Sequence, residues 1–89
     1  MSDESEELAE ALYRELEATE DLPIDRKANR WLGEAQAVAE AIRDVSGDAR
    51  HKGARDVVRL LSEVERTNND RADEHVERAK GLAERLAQT

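Results

Sequence analysis

Between Ala28 and Val45 the residues Ala28, Trp31, Ala35, Val38, Ile42 and Val45 step by three and four without a miss, with Leu32 and Ala39 beside them. That spacing lays one continuous apolar stripe along an α-helix. A strand cannot use it, because its side chains alternate faces with a period of two. An apolar stripe must be covered, so the rest of the chain has to supply partners with the same geometry. Three further segments do. Leu8, Leu12 and Leu16 recur at four-residue intervals, with Ala9 and Tyr13 adjacent; Ala54, Val57, Val58, Leu61 and Val64 form a second set. Ala72, His75, Val76, Ala79, Leu82, Ala83 and Leu86 form a third.

The punctuation between these stripes sets expected helices at about 5–19, 24–45, 49–66 and 71–87. Asp3 and Glu6 have capping-box spacing, and acidic residues crowd the first turn, where the helix dipole favours them. Pro23 disfavours helix at Leu22, so Pro23 or Asp25 opens the second segment. Gly47 reads as a stop and Asp48 as the next N-cap, while Asn69 or Asp70 caps the last helix. Connections this short make sequential helices antiparallel. The expected fold is therefore all-α: four antiparallel helices, either an up-down-up-down bundle or two similar α-hairpins. Residues 5–88 form its single domain, and residues 1–4 a disordered acidic start.

A faint internal repeat supports the two-hairpin variant. Leu12–Thr19 aligns with Leu60–Thr67, and Ala28, Trp31, Leu32, Ala35, Val38, Ala39 and Ile42 match Ala72, His75, Val76, Ala79, Leu82, Ala83 and Leu86 in spacing. Heptad-like helices of unrelated origin also align this way, so duplication and coincidence both remain open.

Composition decides how firmly such a bundle can close. Leu, Val and Ile number 17, Phe is absent, and the net charge is -8. These values lie near the composition of disordered chains, so the seams must be narrow and closely packed. Alanine, at 14 residues, makes that possible. Acids outnumber bases 22 to 14, and only three of the bases are Lys. This balance resembles cytoplasmic proteins of extreme halophiles, and the resemblance implies a surface kept hydrated in concentrated salt. The acidic start is unlike a basic signal peptide, and no apolar run nears the roughly 18 residues of a membrane span. A cytoplasmic location without membrane contact is expected.

Few residues have the spacing that chemistry requires. There is no Cys, which excludes disulfides and thiolate sites. Neither His51 nor His75 follows a Glu by three residues, as a di-iron carboxylate bundle would require, and His75 occupies a packing position. No serine sits in a nucleophile elbow, and no glycine-rich loop could cradle phosphate. No metal, cofactor or enzymatic activity is expected.

Charge patterning is the feature that rises above this background. Residues 1–25 hold ten acids and one base, residues 26–59 eight bases and five acids, and residues 60–89 five bases and seven acids. Cations at a helix N-terminus oppose its dipole unless an anion compensates. Two sources of anion are open: Glu10, Glu15 and Glu17 of the first helix packed beside the basic centre, or an external anion. In the second case Arg50, His51, Lys52 and Arg55 are the anion-binding candidates, held at free backbone N–H groups. A net charge of -8 disfavours nucleic acid as the partner.

Trp31 carries the remaining ambiguity. Its place on the stripe favours a core role, while a large indole in a small Ala-rich bundle also suits a partner-surface anchor. The leading functional expectation is a small non-catalytic interaction or scaffold protein, binding an unknown protein or itself. The alternative is an anion- or nucleic-acid-binding module on residues 26–59. Because the carboxylates repel over a long Debye length in dilute buffer, helicity should rise with added KCl. A circular dichroism spectrum unchanged up to molar salt would contradict this reading of the charge.

Overall fold

In the computed structural model, which describes residues 4–89, four helices form one antiparallel bundle. They are α1 (Glu4–Glu17), α2 (Arg26–Ile42), α3 (Asp48–Ser62) and α4 (Asp70–Ala87). The order around the core is α1, α2, α3, α4: each helix packs on its chain neighbours, α4 closes onto α1, and the backbones of the diagonal pairs stay apart. The expected Asp3–Glu6 capping box and most of the expected disordered start lie outside the described residues. Glu4, also expected there, already begins α1.

The core is made of Leu from α1 facing mostly Ala from α2 and α4. Leu12, Leu16, Ala9, Ala35, Ala39, Ala79 and Ala83 are fully excluded from solvent, and Leu8, Leu32, Ile42, Ala54, Val57, Leu61, Val76 and Leu86 complete the set. Small residues on the helix faces let the axes come close, so narrow stripes suffice to exclude water. Gly53 marks the tightest approach: a Cβ there would collide with the Cγ2 methyl of Ile42.

The sequence overshot three helix ends. Helix α1 stops at Glu17, two residues before the expected Thr19; the Thr19 hydroxyl instead donates to the Leu16 carbonyl at 2.7 Å. Helix α3 stops at Ser62 and not near residue 66, because Glu63 and Val64 bond back to Leu60 and Leu61 in tightened i→i-3 turns. Helix α2 stops at Ile42, so Val45, expected on the stripe, is left 39% exposed in the connection. The cause lies in the side chain of Arg50. Its Nε donates to the Ile42 carbonyl at 3.1 Å and its Nη2 to that of Arg43 at 3.4 Å, satisfying groups that a longer helix would have used.

Two caps also resolve. Asp25 caps α2 through the Ala28 N–H at 3.4 Å, and Asn69 caps α4 through Ala72 at 3.0 Å. Asp48, expected as the N-cap of α3, is its first helical residue. Gly47 takes the cap position with φ at 62°, a left-handed conformation that glycine adopts without strain. The repeat is visible in one half only. All seven matched pairs of α2 and α4 share their burial, whereas aligning Leu12 with Leu60 pairs a fully buried side chain with a partly exposed one. Among the described residues no helix is long and apolar enough to cross a membrane.

The packing implies opposite outcomes for chemically identical substitutions. Gly53→Ala should destabilise by about 1–3 kcal/mol, because the stiff β-branched Ile42 cannot yield without repacking. Gly33→Ala and Gly81→Ala, which meet open space, should each stabilise by about 0.5–1 kcal/mol. Urea midpoints that move together in all three variants would contradict the close α2–α3 approach.

Candidate functional site

The four residues singled out for anion binding do not converge. Successive helical residues point about 100° apart, so Arg50 turns into the bundle and Lys52 away from it, while His51 and Arg55, one turn apart, share the face toward the end of α4. Arg50 turns inward to 5% exposure, its Nη1 donating to the Ser5 hydroxyl at 2.9 Å and its other donors occupied by α2. His51 faces the end of the chain, with Nε2 3.4 Å from the Thr89 hydroxyl. Lys52 lies on the outside, 3.8 Å from Asp56. Arg55 borders a shallow depression with Val58, Glu84 and Gln88. Releasing Arg50 to an external anion would strand buried carbonyls, which costs about 1–3 kcal/mol for each such group.

Of the three α1 acids expected beside residues 26–59, Glu10 meets them, at Arg43, while Glu15 and Glu17 pair elsewhere. Helices α1 and α3 are diagonal, so α1 pairs with its neighbours instead. Glu10 holds Arg43 at 3.2 Å, and the Arg43 guanidinium also stacks over Tyr13, 4.0 Å from the ring centroid. Glu17 reaches only Arg14 of its own helix, at 3.7 Å. Glu15 turns to α4, where His75 Nδ1 lies 2.7 Å from Oε1 and Arg78 Nε 3.1 Å from both carboxylate oxygens.

Glu15, His75 and Arg78 form the tightest polar cluster between two helices. A carboxylate can only accept, so the shorter contact requires a proton on His75 Nδ1, and Arg78 Nη2, a donor 3.1 Å from the same nitrogen, then makes no hydrogen bond to it. Burial pushes the Glu15 pKa up, but hydrogen bonds from His75 and Arg78 and the nearby guanidinium charge outweigh it, holding it below the ordinary 4.5. The sequence placed His75 on the packing stripe and Glu15 beside the basic centre. Arg78 went unremarked, although it shares a face with His75 at i+3. Among the described residues no group of three or more His, Cys, Asp or Glu side chains is placed to hold a metal ion.

Trp31 departs from its favoured core role. It is half-buried and lies outside the main core cluster. It lines a groove of about 480 Å³ between the start of α2 and the α3–α4 connection, with Asp25, Lys27, Ala28, Glu63, Val64, Glu65, Arg66 and Asn68. The Arg30 guanidinium lies 6.0 Å from the indole centroid. The groove is held open by polar anchoring on both walls. The Asp25 N–H donates to the Thr67 carbonyl at 2.9 Å, tying the connection to the first turn of α2. Thr67 is fully buried; its N–H donates to Asp73 at 2.9 Å, and its hydroxyl accepts from the Asn69 N–H at 3.1 Å. Asn68 takes a positive φ of 64° to make the turn. The far wall escaped the sequence reading because residues 63–66 were assigned to a helix.

A family model described as a domain of unknown function (DUF8152) matches residues 8–89. The chain belongs to that family. No curated protein and no solved structure matches it. The stretch shared with DUF8152 contains the whole Trp31 groove and the Glu15–His75–Arg78 cluster.

The lowered pKa of Glu15 fixes a pH dependence. A group whose folded pKa is depressed contributes stability above its unfolded value and loses it as pH falls through the folded one. Glu15→Gln should therefore lower the urea midpoint at neutral pH, and the gap to the unaltered chain should close below the ordinary carboxylate value of 4.5. A gap of constant size from neutral pH to pH 3 would mean that Glu15 acts through packing and not charge.

Proposed function

We propose that this DUF8152 chain is a small, non-catalytic interaction module whose contact surface is the groove at Trp31. The observation carrying this reading is the position of its only tryptophan. The indole lies outside the core cluster, against a groove whose two walls are pinned by hydrogen bonds. A large, rigid aromatic side chain half out of solvent supplies contact area at low conformational cost and is enriched among residues that dominate binding energy. Pre-formed walls reduce the ordering entropy lost on association. The acidic, Lys-poor surface supports a working place in a salt-rich cytoplasm, where the self-repulsion of eight net negative charges is screened. An anion-binding role would need Arg50 to abandon the carbonyls of Ile42 and Arg43.

Substitution of Trp31 separates a contact role from a core role. Trp31→Ala should keep the helical spectrum and cost less stability than the about 3–5 kcal/mol lost when a fully buried core aromatic is truncated. The immobilised chain should retain a defined protein from its native extract, a second copy of itself included, and the Trp31→Ala variant should not. A variant that unfolds, or that retains the same protein equally well, overturns the assignment.

A further inference from the structure

Two neighbours make opposite demands on Nδ1 of His75. Glu15 Oε1 lies 2.7 Å away and, as a carboxylate oxygen, can only accept; Arg78 Nη2 lies 3.1 Å away and can only donate. A ring nitrogen with a proton serves the first and one with a lone pair serves the second, so no single protonation state satisfies both contacts. Arg78 also reaches the carboxylate itself, its Nε donating to Glu15 at 3.1 Å. The Glu15 and His75 side chains are 21% and 22% exposed, whereas Arg78, at 53%, has room to turn out into water.

We propose that this cluster is a proton-operated exchange of partners in the α1–α4 seam: Glu15 bonds to His75 when the imidazole is charged, and to Arg78 alone when it is neutral. Histidine is the side chain whose charge changes between about pH 5 and 8. Glu15, held below 4.5, stays ionised throughout that range. Proton uptake leaves an N–H on Nδ1, which makes a charge-assisted bond to the carboxylate. The guanidinium 3.1 Å away is then repelled, and it withdraws over the open depression that it borders with Gly81, Leu82 and Arg85. Proton release from Nδ1 restores the lone pair. Two acceptors do not tolerate a separation of 2.7 Å, so Glu15 draws back onto Arg78, whose Nη2 now bonds the ring. Among the described residues no other charged group pairs with His75. Glu10 and Glu17 of α1 are taken by Arg14 and Arg43, and Glu4 by Arg85. On α3, the other helix packed against α4, Lys52, Asp56 and Arg59 pair with one another; on α4 itself neither Arg71 nor Glu74 pairs with the ring.

Imidazole nitrogen shifts distinguish these states directly. Two-bond proton–nitrogen correlation spectra of the labelled chain, followed from about pH 8 to pH 5, report which ring nitrogen carries a proton. The chain has two histidines, so the His51→Gln variant assigns the signals of His75. At the alkaline end Nδ1 should be bare and Nε2 protonated; at the acidic end both should be protonated, with the Nδ1 proton shifted downfield by its bond to Glu15. Arg78→Met removes the donor that holds the bare nitrogen, so the neutral ring should move its proton to Nδ1 and keep Glu15 as partner. Glu15→Gln should remove the downfield signal at the acidic end. A neutral ring already protonated on Nδ1 in the unaltered chain overturns the exchange, as does a ring whose charge does not change over this range. A neutral tautomer unmoved by Arg78→Met also overturns it.

Discussion

A guanidinium taken out of water is costly unless its donors are used, and Arg50 uses them on three acceptors at once. It reaches back to the last carbonyls of α2 and across to the first turn of α1, while its own backbone lies in the first turn of α3. That one side chain ends α2 at Ile42 and fixes the angle at which α3 departs. It also joins two diagonal helices whose backbones stay apart. The close α2–α3 seam, with Gly53 against Ile42, depends on that anchoring. A small Ala-lined core has little apolar area to spare, so a satisfied polar clamp at its end matters more here than it would in a larger domain.

The remaining polar interactions divide between holding the bundle and shaping its surface. Glu10 with Arg43, and Glu15 with His75 and Arg78, tie α1 to α2 and α4. At the opposite end from Arg50, the hydrogen bonds of Thr67, Asp73 and Asp25 fasten the α3–α4 connection to the start of α2. The groove beside Trp31 follows from that fastening.

Much of this was legible in the sequence, and the misses have physical causes. The stripe from Ala28 to Ile42 gave the helix, its buried face and the closure into a bundle, because periodicity reports directly on burial. The cap at Asn69 was legible because Asn at that place has one economical use. Val45 misled because its spacing was right, while the groups that end the helix belong to Arg50, eight residues beyond Ile42. Arg50 itself looked like a surface cation: a sequence shows charge but not the carbonyls a long side chain can reach. Trp31 kept the stripe's spacing yet sits at its edge, since neighbouring Leu32 takes the inward position. The sequence also lacked the order of helices around the core, so it could not show that Glu10 meets the end of α2 and Glu15 meets α4.

The end of α2 tests this account most directly. Amide hydrogen exchange, resolved by residue in molar KCl, should show Ala39 and Ile42 protected to near the global unfolding limit. Val45, three residues beyond and still in phase with the stripe, should exchange orders of magnitude faster. Protection that continues undiminished through Val45 would mean the helix runs on and Arg50 does not clamp it. An Ile42 amide as open as Val45 would mean the seam itself does not close.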